Sequence, residues 1–151
     1  MYGLVVDTNV LFRELVNEKG GDYKAYRFVF NNEFRFYYHE SRVKEFLEIL
    51  QYKRISKKYT FSEEVLDVFM SPIRKYGESL EPEVVKICRD IDDNEVLGLA
   101  TAATRKSGKV FLITHDEDLL DLNGKIETVE ILRPGEFLRD QVPTPLRLRL
   151  R

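Results

Sequence analysis

Two short, continuous apolar runs of this chain are each followed by a carboxylate. Residues 3–6 read Gly-Leu-Val-Val and are followed by Asp7, and residues 110–113 read Val-Phe-Leu-Ile and are followed by Thr114 and then by Asp116. Runs of this length suit buried strands of a parallel sheet, which helices cover on both faces. Because the carboxyl ends of parallel strands meet at one edge of the sheet, we expect both carboxylates to lie at that edge.

Strand and helix patterns alternate along the rest of the chain. The aromatic-rich residues 34–38 predict a second strand, and residues 39–52 carry an apolar stripe at helical spacing. Such alternation is typical of an α/β fold with a central parallel sheet. The predicted helices cover residues 10–15, 23–31, 39–52, 62–76 and 94–105, with a short one at Leu119. The predicted strands cover residues 3–6, 34–38, 110–113 and 128–132, and a final turn covers residues 134–138.

Composition narrows the class of protein. With 151 residues, 43% of them hydrophobic, the chain suits one globular domain and not a disordered protein. It has no apolar run near the ~18 residues of a membrane helix and starts almost directly with a strand, so we expect a cytoplasmic protein without a signal peptide. Cys88 is the single cysteine, which excludes an intrachain disulfide. The net charge of −2 does not by itself indicate nucleic-acid binding.

Several acids have ordinary explanations when each is taken alone. Glu45 and Glu48 are three residues apart and share a helix face, which is typical of a solvated acidic face. Asp116 and Asp118 suit the capping of a short helix, and Asp7 suits the capping of the helix that follows it. These alternatives stay open for each residue. The occurrence of so many acids at the ends of predicted strands and helices nevertheless favours one shared site.

The densest acidic segment contains Asp90, Asp92 and Asp93, ahead of a predicted helix. The helix dipole favours acids there, which explains one aspartate better than three. A calcium loop starting at Asp90 is excluded because its sixth and twelfth positions are Glu95 and Thr101 and not Gly and Glu. If the acids converge, their repulsion requires a cation, and oxygen ligands favour Mg²⁺ or Mn²⁺. The pattern therefore predicts a metal-dependent enzyme that acts on phosphate esters.

The acids occur in an ordered set of motifs. These are Val-Val-Asp-Thr-Asn-Val-Leu at residues 5–11, Glu-Phe-Leu-Glu-Ile-Leu at 45–50, Asp-Ile-Asp-Asp-Asn-Glu at 90–95, Leu-Ile-Thr-His-Asp-Glu-Asp-Leu-Leu at 112–120, and Glu-Ile-Leu-Arg-Pro-Gly-Glu-Phe-Leu at 130–138. The set resembles the PIN domain family, ribonuclease-like domains common among the toxins of bacterial and archaeal toxin–antitoxin pairs, and in particular its VapC-like toxin and ribonuclease subgroup. Ile91 stands where a related subgroup usually has Pro, and His39 where Ser is common, but neither change removes an acid.

The resemblance implies a fold, a cofactor and a reaction. It covers about residues 3–138, so that a single PIN-like domain is expected over residues 1–138, followed by a basic Leu-Arg tail over residues 139–151. The fold implied is a three-layer α/β/α sandwich with a central, mainly parallel twisted sheet, similar to PIN and 5′-nuclease domains. One or two Mg²⁺ or Mn²⁺ ions are implied, which would activate water for hydrolysis of a phosphodiester.

The resemblance also implies roles for individual residues. The implied catalytic residues and metal ligands are Asp7, Glu45, Asp93 and Asp116, with Asp118 as a further metal ligand. The residues implied to orient these ligands without binding the metal themselves are Asn9, Asp90, Asp92 and Thr114. For Thr114, phosphate binding and capping both stay open.

A substrate with phosphates also requires cations. The basic residues after the Glu45 helix, which suit phosphate contacts or a solvated loop, are Lys53, Arg54, Lys57 and Lys58. Stacking on bases and packing within the fold both stay open for Tyr37, Tyr38 and Tyr52.

The expected function is metal-dependent endoribonuclease activity on single-stranded RNA, as the toxin of a toxin–antitoxin pair. A small antitoxin protein and a second copy of the chain, in a homodimer, are the expected protein partners, and no membrane is expected. The alternative is a PIN-like RNA- or protein-binding module without nuclease activity, which the presence of every acid disfavours. A haloacid-dehalogenase-type phosphatase is disfavoured because Asn9 stands where that class needs a second Asp. A receiver domain is disfavoured because it needs paired acids after its first strand.

Overall fold

The computed structural model describes residues 2–11, 34–55 and 62–141. In this part of the chain the strands are β1 (Tyr2–Val6), β2 (Phe34–Tyr38), β3 (Glu78–Ser79), β4 (Val110–Ile113) and β5 (Val129–Leu132). The helices are α1 (Glu40–Ile55), α2 (Glu63–Tyr76), α3 (Ile91–Ser107), α4 (Glu117–Leu120) and α5 (Pro134–Gln141). Residues 8–11 also have helical backbone, directly after β1.

The topology of the sheet creates a crevice beside its central strand. The strand order is β3-β2-β1-β4-β5, and every neighbouring pair is parallel. From β1 the chain continues to β2 on one side and later to β4 on the other. Val6 pairs with Ile113, so that Asp7 and Thr114 leave the sheet side by side. Ligands of α/β proteins bind at such a reversal of strand order, beyond the carboxyl ends of the strands.

Alternate residues of each strand face opposite layers of helices. Leu4 and Phe111 pack on the side of α1, α2 and α5, whereas Val5 and Leu112 pack on the side of α3 and α4. None of these four side chains is more than 1% exposed. Burial of one side chain of this size contributes about 1.5–3 kcal/mol to the stability of the fold. Because both faces of the sheet bury such side chains, an apolar layer stabilises the sheet on each face. The predicted three-layer sandwich is therefore confirmed, and the described sheet is parallel throughout.

Helix α3 begins earlier than the sequence predicts, at Ile91 and not at residue 94. The cause is the side chain of Asp90, whose Oδ1 accepts the backbone N–H of Asp92 at 2.8 Å and so caps the helix. Asp92 and Asp93 consequently lie in the first turn of α3. The predicted start of this helix is wrong, and the correction matters because it fixes the direction of both side chains.

Three smaller details also differ from the prediction. The expected final turn is the first part of helix α5, because Pro134 suits the first helical position and Phe137 is buried in the core. The two-residue strand β3 pairs with β2 and is too short to leave a sequence pattern. Helix α1 continues to Ile55, past its predicted end at residue 52.

Some predictions fall outside the described residues. They concern the helix over 23–31, the part of the helix over 10–15 that follows residue 11, Lys57 and Lys58, and residues 142–151 of the tail. Residues 139–141, which the sequence analysis assigns to the tail, belong to α5. Across the described ranges, no helix has both the length and the apolar character that crossing a membrane requires.

Candidate metal centre

A buried threonine joins the acids at the ends of the two central strands. Asp7 follows β1 and is 7% exposed, and its Oδ2 accepts a hydrogen bond from Thr114 Oγ1 at 2.8 Å. Thr114 follows β4 and is fully buried, and the same Oγ1 accepts the backbone N–H of Asp116 at 3.0 Å. A hydroxyl donates one hydrogen bond, and here the acceptor is Asp7. Thr114 therefore positions two acids and has no proton left for a phosphate.

Asp116 is held by the helix that it caps. Its Oδ1 accepts the backbone N–H groups of Asp118 at 2.8 Å and of Leu119 at 3.4 Å, which begins α4. Leu119 is fully buried under the sheet and anchors this short helix. A carboxylate offers about four lone-pair sites, so a cap does not prevent Asp116 from binding a cation. Capping and metal binding are thus compatible explanations of this residue.

Asp93 is placed by the start of α3 and by the segment before it. Asn94 accepts the backbone N–H of Cys88 at 2.8 Å and donates to its carbonyl oxygen at 3.0 Å, which ties that segment to the helix. Gly98 lets the same segment approach α3 closely, since a Cβ there would collide with the carbonyl oxygen of Glu83. With the helix start fixed in this way, Asp93 faces inward and is 7% exposed.

Asp93, Asp116 and Asp118 form what we call the aspartate group. Each contributes one carboxylate oxygen, and these oxygens all lie within 4.8 Å of one another. In the octahedral oxygen shell that Mg²⁺ prefers, neighbouring oxygens are about 3 Å apart and opposite ones about 4 Å. An all-oxygen donor set of this spacing fits a divalent cation of the Mg²⁺ or Mn²⁺ class after small adjustments of the side chains.

The carboxylates around the aspartate group disfavour each other's ionisation. Burial, followed by the charges of Asp116, Asp90 and Asp7, raises the pKa of Asp93 from 3.8 to about 6. Burial also raises the pKa of Asp7, although the hydrogen bond from Thr114 opposes this effect in part. Among the described residues, no arginine or lysine forms an ion pair with Asp7, Asp93 or Asp116. Like charges in this condition favour a bound cation, which makes the donor set consistent with a metal site.

A second set of acids, next to helix α1, is paired with an arginine; we call this side of the site the facing wall. Glu45 on α1 has a side chain that is 56% exposed, and its Oε2 lies 3.1 Å from Arg42 Nη1. Arg42 Nη2 lies 2.9 Å from Asp92 Oδ1 and 2.8 Å from Glu95 Oε2, so that it links α1 to α3. We call these four residues the Arg42 cluster. Arg42 is not among the predicted site residues, although its position three residues before Glu45 on one helix face was an available signal.

The aspartates of the sheet edge and two acids paired with Arg42 line one open cleft. The predicted site residues that line it are Asp7, Asn9, Glu45, Asp90, Asp92, Asp93 and Asp116. Asp118 borders the cleft through the aspartate group, and Thr114 is buried beneath it. Glu48 is exposed and does not line the cleft. Lys53 and Arg54 lie on the last turn of α1, but the structure does not describe their side chains.

Comparison with known proteins assigns this arrangement to a family. The family model described as PIN domain matches residues 3–118, which include Asp7, Glu45, Asp93, Asp116 and Asp118. The chain belongs to the PIN domain family. An uncharacterized protein of Methanocaldococcus jannaschii, MJ1680, is 27% identical to it over 146 residues, which are 94% of this chain and 86% of that protein. No solved structure gives a significant match.

Membership in the family gives the cleft a chemical context. PIN domains are usually metal-dependent nucleases and commonly act on RNA. The predicted membership in the PIN domain family is confirmed, and the VapC-like subgroup stays a prediction. The aspartate group could hold the divalent cation that such domains typically bind.

Proposed function

We propose that this PIN domain is a metal-dependent endoribonuclease whose catalytic centre is the cleft at the carboxyl ends of β1 and β4. The observation that carries the proposal is the aspartate group, three carboxylates with oxygens within 4.8 Å, next to the buried Asp7 at the reversal of strand order. The raised pKa of Asp93 supports it, because a cation would relieve the repulsion that raises this pKa.

The proposal assigns distinct tasks to the residues of the cleft. Asp7, Asp93, Asp116 and Asp118 hold one or two Mg²⁺ or Mn²⁺ ions, and Glu45 completes the ligands from the facing wall. A divalent cation there supplies a water of lowered pKa and neutralises charge on the phosphate. Thr114 keeps Asp7 and Asp116 in place through its two hydrogen bonds. Asp90 supports the site by capping α3, and Asn9 lies at the rim of the cleft.

The surface beyond Glu45 on α1 supports a single-stranded nucleic acid as substrate. Ile49 and Tyr52 follow Glu45 by about one and two helical turns, and they are 48% and 73% exposed. This exposure favours stacking on bases for Tyr52, whereas Tyr37 is buried and hydrogen-bonded to Ser107. An apolar, aromatic strip that leads away from a metal site suits unpaired bases next to a scissile phosphate. The basic residues that follow Tyr52 in the sequence would add phosphate contacts; they are Lys53, Arg54, Lys57 and Lys58.

The proposal also includes a role as the toxin of a toxin–antitoxin pair. Family membership and the order of the motifs support a chain that cleaves cellular RNA in the cytoplasm, with a small antitoxin protein as its inhibitor and a homodimer as its working state. Co-purification of the chain with the product of a neighbouring gene, and a mass measurement in solution, test these two partners.

The direct test is cleavage of end-labelled single-stranded RNA and DNA with Mn²⁺, Mg²⁺ or EDTA. We expect the wild type to cut RNA only with a divalent cation, and Asp7→Asn and Asp93→Asn to lose this activity. Asp67→Asn is a matched control, because it makes the same change on the exposed face of α2. If Asp7→Asn and Asp93→Asn cut as fast as Asp67→Asn, the proposed centre is wrong. A wild type that binds RNA and metal without cutting would favour the non-catalytic binding module.

A further inference from the structure

Arg42 is the only described cation in direct contact with the acids of the cleft, and it is unusually enclosed for an arginine. Its side chain is 16% exposed, and it contacts carboxylates of Glu45, Asp92 and Glu95. These contacts, with burial opposing them, hold the pKa of Arg42 above its ordinary value, so the guanidinium stays protonated. The residue lines the acidic cleft together with Asp7, Asp93 and Asp116.

The two ends of the guanidinium are held differently. Nη2 has two short contacts, at 2.9 Å to Asp92 Oδ1 and at 2.8 Å to Glu95 Oε2. Glu95 is itself held by His39, whose Nδ1 lies 3.0 Å from Glu95 Oε1. Nη1 has the single contact to Glu45, at 3.1 Å, and the Glu45 side chain is more than half exposed. The Asp92 side chain is itself 71% exposed, so the Nη2 end is anchored mainly through Glu95, which is 33% exposed and held by His39. Nη1 has only the exposed Glu45 as a partner, and this partner can exchange.

The surroundings of Arg42 keep it rigid and strengthen its charge. Arg42 lines both the acidic cleft and an apolar cavity whose other lining residues include Val6, Phe46 and Val96. Its Nε is buried and has no hydrogen-bond partner among the described residues. A guanidinium with apolar material on one side is poorly screened, so it attracts an anion in the cleft more strongly than a surface arginine would.

We propose that Arg42 is a phosphate-binding residue of the cleft, which exchanges Glu45 for a non-bridging oxygen of a phosphodiester. Glu45 then turns towards the aspartate group, and Arg42 Nη1 donates to the phosphate, while Asp92 and Glu95 keep the guanidinium in place. This inference rests on the proposed function, since it gives the substrate's phosphate a partner on the wall that faces the metal ligands. The fork of an arginine suits phosphate oxygens better than an ammonium does.

The competing explanation is that Arg42 only clamps α1 to α3. A clamp would affect stability when removed, but it would not change how binding of a nucleic acid depends on salt. Each phosphate contact to a single strand releases a counterion and contributes about −0.7 to the slope of log K against log salt. This slope therefore separates a phosphate contact from a structural role.

The test is equilibrium binding of a fluorescent 12-nucleotide single-stranded RNA by anisotropy, in Ca²⁺ and at several salt concentrations, with gels to show that the RNA stays intact. We expect Arg42→Gln to weaken binding ~10–100-fold, the worth of a charged hydrogen bond, and to reduce the slope by about 0.7. Arg42→Lys, which keeps the charge and most of the helix contacts, should recover only part of the affinity. Arg74→Gln is the matched control, since Arg74 pairs with Glu40 on the surface between α1 and α2.

Glu45 supplies a second and opposite expectation. Glu45→Gln removes the competitor for Arg42 Nη1, so in EDTA, where no metal ligand is lost, it should tighten RNA binding more than Glu48→Gln, which changes the same charge one turn further along α1. Thermal unfolding of every variant shows that the assays use folded protein, and Arg42→Lys carries the test if Arg42→Gln does not fold.

The outcomes separate this inference from the proposed function. If Arg42→Gln and Arg42→Lys bind RNA with wild-type affinity and slope, or if the wild type does not bind RNA, Arg42 is not a phosphate-binding residue. If the variants behave as expected but the wild type cuts no RNA with Mn²⁺ or Mg²⁺, the nuclease proposal fails and the phosphate contact stands.

Discussion

The two walls of the cleft contain the same residue types in opposite electrostatic conditions. On the side of the sheet edge, Asp7 and Asp93 are each 7% exposed and no described arginine or lysine is paired with them. On the side of α1, Glu45 and Asp92 are exposed and share the guanidinium of Arg42. From this comparison we infer the core of a cation site from the acids that lack a cationic partner, and not from the number of acids in the cleft.

The difference originates in the way the two walls are built. Backbone elements place the unpaired acids: Asp7 follows the central strand, Asp116 caps α4, and Asp93 lies on the first turn of α3. Side-chain contacts hold the paired acids: Arg42 is enclosed and held at Nη2, and the exposed Glu45 side chain depends on its contact with Nη1. Backbone elements can hold carboxylates together despite their repulsion, whereas an exposed side chain such as that of Glu45 can exchange partners when a ligand arrives.

The largest expected effect is on catalysis, where the two walls should differ most. Asp93→Asn removes a carboxylate from the aspartate group, and we expect ~10³-fold slower metal-dependent RNA cleavage, since such a cation supplies several kcal/mol in the transition state. Asp92→Asn changes a carboxylate on the adjacent position of α3 that is already paired with Arg42, so we expect a loss below ~10-fold. Single-turnover cleavage rates measure both. Equal losses would remove the distinction between the walls.

The next effect concerns the stability of the metal-free protein. The native pKa of Asp93 is raised from 3.8 to about 6, so the native state binds this proton more tightly than the unfolded state does. The contribution of Asp93 to the free energy of unfolding is therefore fully present below pH 4 and is lost as the pH rises from about 4 to 6. At neutral pH, Asp93→Asn should be more stable than the wild type by up to ~3 kcal/mol, with the difference vanishing near pH 3.

Urea unfolding in EDTA across this pH range measures that difference. Glu45→Gln is the control from the facing wall, and we expect its stability relative to the wild type to show no gain between pH 4 and pH 6. If the stability difference between Asp93→Asn and the wild type does not depend on pH, burial and the neighbouring carboxylates do not raise the pKa of Asp93.

A smaller effect is expected at the threonine that supports the unpaired wall. Thr114→Val keeps the shape of the side chain but removes the donor to Asp7 and the acceptor for Asp116 N–H, so we expect a loss of ~1–3 kcal/mol of stability and ~10–100-fold in cleavage. Thr114→Ser keeps the hydroxyl and should lose much less of either. Thermal unfolding and cleavage rates check the pair, and a Ser variant as impaired as the Val variant would assign the effect to packing.

Much of the unpaired wall could be predicted from the sequence. The apolar runs before Asp7 and Thr114 indicate parallel strands whose carboxyl ends share one edge of the sheet, and Asp116 comes two residues after Thr114. That the two strands are neighbours is a result of the structure. The start of α3 was missed because the capping by Asp90 depends on a single side-chain hydrogen bond. The spacing of three residues indicates a contact between Arg42 and Glu45, but the other two partners of Arg42 could not be predicted, because they depend on where α3 brings Asp92 and Glu95.

The central claim is that the aspartate group binds a divalent cation, and titration with Mn²⁺ monitored by electron spin resonance tests it most directly. We predict saturable binding of one or two ions by the wild type, unchanged by Asp67→Asn and weakened at least ~10-fold by Asp93→Asn and by Asp116→Asn. Binding of Mn²⁺ that is equally tight in Asp93→Asn, Asp116→Asn and the wild type would contradict the claim.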